Sequence, residues 1–137
     1  MKYTQKEFNA ELMDHIENTE LALIDLIESL TNPYKAIFEK KKINVEAEFY
    51  KEGNHPFEPG YRSAISVGIS DASGELIDIH TVTIWECERS LLGMPISINI
   101  PGSRIIGDFL DESMEEIQAE LTEFMKDQVE DENEAKP

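Results

Sequence analysis

Ile43-Asn44-Val45-Glu46-Ala47-Glu48-Phe49-Tyr50 decides the fold class. Apolar and polar side chains alternate through it, which is the two-residue period of a strand with one buried face. Upstream the period is longer. Phe8, Leu12, Ile16, Thr19, Leu23, Ile27 and Leu30 recur at spacings of three and four, so residues 4–31 predict one amphipathic helix. Thr4 and Glu7 have capping-box spacing at its start. Asn32-Pro33 is expected to stop it, because a residue that precedes proline is pushed out of helical space. Leu21, Ile24 and Leu26 widen the apolar stripe and predict cover on more than one side. A short second helix is expected over 34–42, with Tyr34, Ile37 and Phe38 on one face and the lysines 40–42 favourable at its end.

Downstream the strand period continues. Residues 51–61 are a loop by composition, and 62–70 form a second strand with Ile65, Val67 and Ile69 on one face. Asp71-Ala72-Ser73-Gly74 predicts a turn. A third strand is expected at 75–87. Ile77 and Ile79 lie on one of its faces, Val82 and Ile84 on the other, which requires cover on both sides or a bulge near His80. Ile96, Ile98 and Ile100 mark a fourth strand. Ile106, Leu110, Met114, Ile117 and Leu121 then keep a helical period, with a suspected break at Gly107, a capping box at Ser113 and Glu116, and a main helix over 112–128. The expected fold is α+β. An antiparallel sheet of about four strands, from residues 43–100, is packed by a long N-terminal helix and a C-terminal helix. A single domain over 1–128 is followed by an acidic disordered tail, 129–137.

Residues that could carry chemistry are few. No pair of the histidines His15, His55 and His80 has helical metal-ligand spacing; on the third strand Asp78 and His80 share one face, which Glu86 joins if no bulge intervenes. Cys87 is the sole cysteine and lies between Glu86 and Glu88, which oppose a thiolate. Neither a nucleophile elbow nor a phosphate-binding glycine pattern occurs. The expectation is no catalytic residue, no metal and no cofactor. Phe57 stands out because it sits in the 51–61 loop, where an aromatic side chain has less reason to be buried.

Charge is the strongest signal. The 137 residues hold 29 acids against 12 lysines and arginines, a formal net charge of −17. This excludes the usual nucleic-acid binder, which needs a basic face, and disfavours adsorption to anionic membranes. The acids are uneven: residues 101–137 hold 12 of them and only 3 basic residues. Glu116, Glu120, Glu123 and Asp127 recur at four, three and four, so one flank of the last helix is a row of carboxylates. Residues 1–30 show no secretory pattern, and a cytoplasmic location is expected.

These features predict a non-enzymatic acidic protein that binds a basic protein partner through Glu116, Glu120, Glu123 and Asp127. The partner class is a nuclease or nucleic-acid-binding protein, and the role is that of an inhibitor or immunity-type protein. Duplex DNA carries one charge per ~1.7 Å of axis, so a surface this acidic can stand in for a short stretch of it. Two alternatives stay open. One is a homo-oligomeric assembly or adaptor protein with helix 4–31 or strand 75–87 as its interface. The other is a small ligand-binding domain or enzyme with a pocket near His80 and Trp85.

Overall fold

The computed structural model describes residues 1–134. Chain order is β1 (Lys2–Thr4), a single 3-10 turn, α1 (Ala10–Lys40), β2 (Ile43–Glu52), β3 (Tyr61–Asp71), β4 (Leu76–Leu91), β5 (Met94–Ile96), β6 (Arg104–Phe109) and α2 (Met114–Glu134). The class is α+β, with a long N-terminal helix, a C-terminal helix and an antiparallel sheet. The sheet has six strands rather than four, in the order β1-β6-β4-β3-β2, with β5 paired to β4. Contacts gather into two compact units. The first holds Met1–Ala22, Phe49–Ala64 and Val82–Asp111; the second holds Leu23–Glu48, Ile65–Thr81 and the chain from Glu112 on.

In the first unit, β4 pairs with β6 through Trp85↔Phe109 and Cys87↔Gly107, and β6 pairs with β1 through Tyr3↔Gly107. Residues 104–109 were expected to begin a helix. They are a strand because Gly107 lets the Trp85 indole lie against the backbone of β6, where any Cβ at 107 would overlap the ring. Tyr3, Phe8, Phe57 and Phe109 surround that indole, with ring centroids 5.7–6.2 Å from it. Ile84 and Trp85 are consecutive and both fully buried, so β4 is covered on both faces at this point. The expected fourth strand is reduced to Met94–Ile96, and Ile98 is exposed. The capping box also moves. Thr4 N–H donates to Glu7 Oε1 at 3.0 Å, but the pair closes only the 3-10 turn. Asn9 starts α1, its Oδ1 accepting the Leu12 N–H at 2.8 Å.

In the second unit α1 continues through Pro33 to Lys40, so the expected stop at Asn32 and the separate helix at 34–42 are both corrected. An interior proline costs roughly 3 kcal/mol, and it leaves the Ser29 carbonyl without its helical donor. The turns beyond it bury Phe38 completely, and Ile43 and Val45 follow in the same core. Burying such side chains is worth ~1.5–3 kcal/mol each, which outweighs the break. Leu23 and Ile27 from α1, Ile65, Val67 and Ile69 from β3, and Ile117, Leu121 and Met125 from α2 complete this core. The β3–β4 turn forms as expected. Asp71 Oδ1 accepts the Ser73 hydroxyl and the N–H groups of Glu75 and Ser73, the last two at 3.0 and 2.9 Å, and these bonds, the hydroxyl's first, hold its carboxyl below the usual range. The helix α2 reaches Glu134, past the expected end near 128; residues 135–137 of the expected tail lie outside the described residues. No described helix is long and apolar enough to cross a membrane.

Candidate functional site

The carboxylate row lies on α2, and three features fix how that helix presents it. Ser113 caps the N-terminus, with its Oγ 3.1 Å from the Glu116 N–H and 3.3 Å from Glu116 Oε1. Ile117, Leu121 and Met125, spaced by four, are fully buried and anchor one ridge of the helix. Two polar bonds tie α2 to β4: His80 Nε2 donates to Glu120 Oε1 at 2.7 Å, and Gln128 Nε2 donates to Asp78 Oδ2 at 2.9 Å. The His80 ring also lies 5.5 Å from Phe124, centroid to centroid. Asp78 and His80 share a face, as the strand period requires, but that face meets α2.

The four carboxylates therefore do different work. Glu116 serves the helix cap, and its charge is favourable at the positive end of the helix dipole. Glu120 is half-buried and engaged by His80. Glu123 and Asp127 are exposed, and among the described residues neither forms an ion pair. Only these two are wholly available to another molecule. Sequence spacing placed all four on one flank; it could not reveal that β4 supplies a histidine opposite one of them, since those residues are 40 positions apart.

Phe57 is half-buried. It stacks on Phe8 at 4.7 Å with the rings 14° from parallel, and the carbonyl of neighbouring Pro56 accepts the Trp85 indole N–H at 2.6 Å. The loop is thus pinned to the aromatic cluster by its own residues. Cys87 is buried and unpaired, and its thiol is pushed up to about 11, first by burial and then by the Glu88 carboxylate. The neighbouring charge acts in the expected direction, but burial is the larger cause. A thiol so held is a poor nucleophile at neutral pH.

One buried polar pair escaped the sequence reading. Tyr61 donates its hydroxyl to Glu20 Oε2 at 2.7 Å, and Glu20 is only 8% exposed. Burial, reinforced by Glu20, holds the Tyr61 hydroxyl protonated well above the usual tyrosine range. The signal was present: Glu20 stands four after Ile16 and three before Leu23, on the apolar stripe itself, where a carboxylate requires a partner. The pair joins α1 to β3 within the first unit and has the character of a structural pin. Comparison with protein families, with curated proteins and with solved structures finds no match to this chain.

Proposed function

We propose that this protein is a non-enzymatic acidic binding protein for a basic protein partner, a nuclease or nucleic-acid-binding protein whose cationic surface it occupies. One observation carries the reading: Glu123 and Asp127 stand exposed and without an ion pair on a helix flank they share with Glu116 and Glu120, in a chain of net charge −17. Like charges at helical spacing destabilise a helix by a few tenths of a kcal/mol each. A basic partner would convert that repulsion into attraction and would be steered toward this surface. Capture from a cell extract at low salt, followed by elution with rising salt, tests the idea. The expected eluate is a basic protein, and its nucleic-acid binding falls when the complex re-forms. A captured protein that is neutral or acidic, or that elutes only under denaturing conditions, refutes it.

A second reading, a self-assembling protein, is supported by β4. Ile77 and Ile79 are 53% and 50% exposed on this strand, one of the two candidate interfaces of that reading. Light scattering separates the two readings: the binding protein is a monomer in isolation, and the assembly protein is not.

A further inference from the structure

The strand β2 ends the sheet path, so one of its edges has no strand beside it among the described residues. Alternate residues of such a strand turn their N–H and C=O groups outward, where they can pair with another extended chain. The other short strands are poor templates. The strand β1 has three residues, and β5 has three with a proline, Pro95, at its centre. In contrast β2 has ten residues and no proline.

Within the second unit, the edge of β2 is one wall of a groove of about 560 Å³. The other wall is α1. Glu28, Asn32 and Lys35 contribute from the helix, and Val45, Glu46 and Glu48 from the strand. An open strand edge beside a helix is the arrangement that admits a peptide by strand addition: main-chain bonds supply affinity and the flanking side chains supply selectivity. The rim has three carboxylates and one ammonium group. Glu28, Glu46 and Glu48 are exposed and form no ion pair among the described residues. A second copy of this chain would bring like charge to that rim and is repelled by it. A segment with lysine or arginine at alternate positions meets opposite charge instead.

From this we propose that residues 43–48 of β2, in the groove against α1, take up an extended basic segment of the partner as an added antiparallel or parallel strand. The proposal rests on the reading of a basic partner and assigns it a second contact, distinct from the α2 flank.

The test uses the full chain and a capped nine-residue peptide of alternating valine and lysine. Binding is read by fluorescence anisotropy, and the site by amide hydrogen exchange. Two further peptides carry N-methyl groups on one or the other alternating set of backbone amides. Strand addition predicts slowed exchange of alternate amides within 43–48. It also predicts that one methylated peptide binds at least tenfold more weakly while the other is nearly unchanged. The Glu46→Gln/Glu48→Gln variant should weaken binding several-fold at low salt. An alternating valine–glutamate peptide should not bind. Equal binding by both methylated peptides, no protection in β2, or no binding at low salt overturns strand addition. None of these decides whether a basic protein is captured through α2, so that reading stands or falls on its own experiment. A dimer formed through β2 at micromolar concentration also overturns the proposal.

Discussion

A single methyl group tests how Trp85 is seated. Gly107→Ala should normally help a strand, since glycine in a strand interior loses more backbone entropy than alanine. Here the added Cβ overlaps the indole, which is fully buried and held by the Pro56 carbonyl. The expected result is destabilisation by about 1–3 kcal/mol, the usual cost of overpacking a filled core. A urea unfolding midpoint equal to that of the parent would show that Trp85 packs elsewhere. Cys87 supplies a second residue-scale expectation. Its folded thiol titrates near 11 against an ordinary value of 9.0, so the folded state holds the proton more tightly. A raised folded pKa contributes stability that is fully present below pH 9 and is lost as pH rises toward 11. Its contribution declines by about 1.4 kcal/mol per pH unit across that window. Cys87→Ala should flatten that part of the stability–pH curve, and an unchanged slope would place the thiol at the surface. At pH 8 the native protein should resist alkylation by iodoacetamide, while the urea-unfolded chain reacts readily.

At the scale of elements, Pro33 is the informative residue. It has no N–H for the Ser29 carbonyl, yet α1 runs on for seven residues to Lys40. Pro33→Ala restores a donor inside an existing helix and should stabilise the protein by roughly 1–3 kcal/mol. A lower melting temperature in this variant would mean that proline geometry is required to aim the last two turns. The same residue marks the limit of reading elements from local pattern. Where one periodicity held and solvent covered the other face, as in β2 and the α2 ridge of Ile117, Leu121 and Met125, the elements were legible because burial follows period directly. Around Pro33 a local rule met tertiary burial of Phe38 and yielded. In β6, Ile105, Ile106 and Phe109 fit neither period cleanly, and the deciding contact, Trp85 on Gly107, joins residues 22 positions apart. The candidate site divides in the same way. The helical spacing of the carboxylates was visible, whereas the engagement of Glu120 by His80 comes from packing α2 on β4, and the open edge of β2 from the order in which strands pair.

At the scale of the whole molecule, charge sets behaviour at a distance while geometry sets which charges can be altered safely. Reversing all four α2 carboxylates would confound binding with folding, because Glu116→Lys removes the cap acceptor and opposes the helix dipole, and Glu120→Lys faces His80. Glu123 and Asp127 carry no such duties, so Glu123→Lys/Asp127→Lys is the clean variant. It should fold with unchanged or slightly higher stability, since it relieves like-charge repulsion along the helix. Against the basic partner it should associate about tenfold more slowly at low ionic strength and dissociate at nearly the parent rate, because rim charges act chiefly through steering. Salt should produce the same change in the parent protein, as the screening length contracts from ~10 Å at 0.1 M to ~3 Å at 1 M. The two effects share one cause, so they should not add: at high salt the variant and the parent should associate at similar rates. Stopped-flow mixing across a salt series measures this directly. Parallel salt dependences with a constant gap between the two proteins would mean that these side chains make short-range contacts instead. Association indifferent to both salt and reversal would remove the acidic flank from the binding surface, leaving the exposed strand face around Ile77 and Ile79 as the surface to probe.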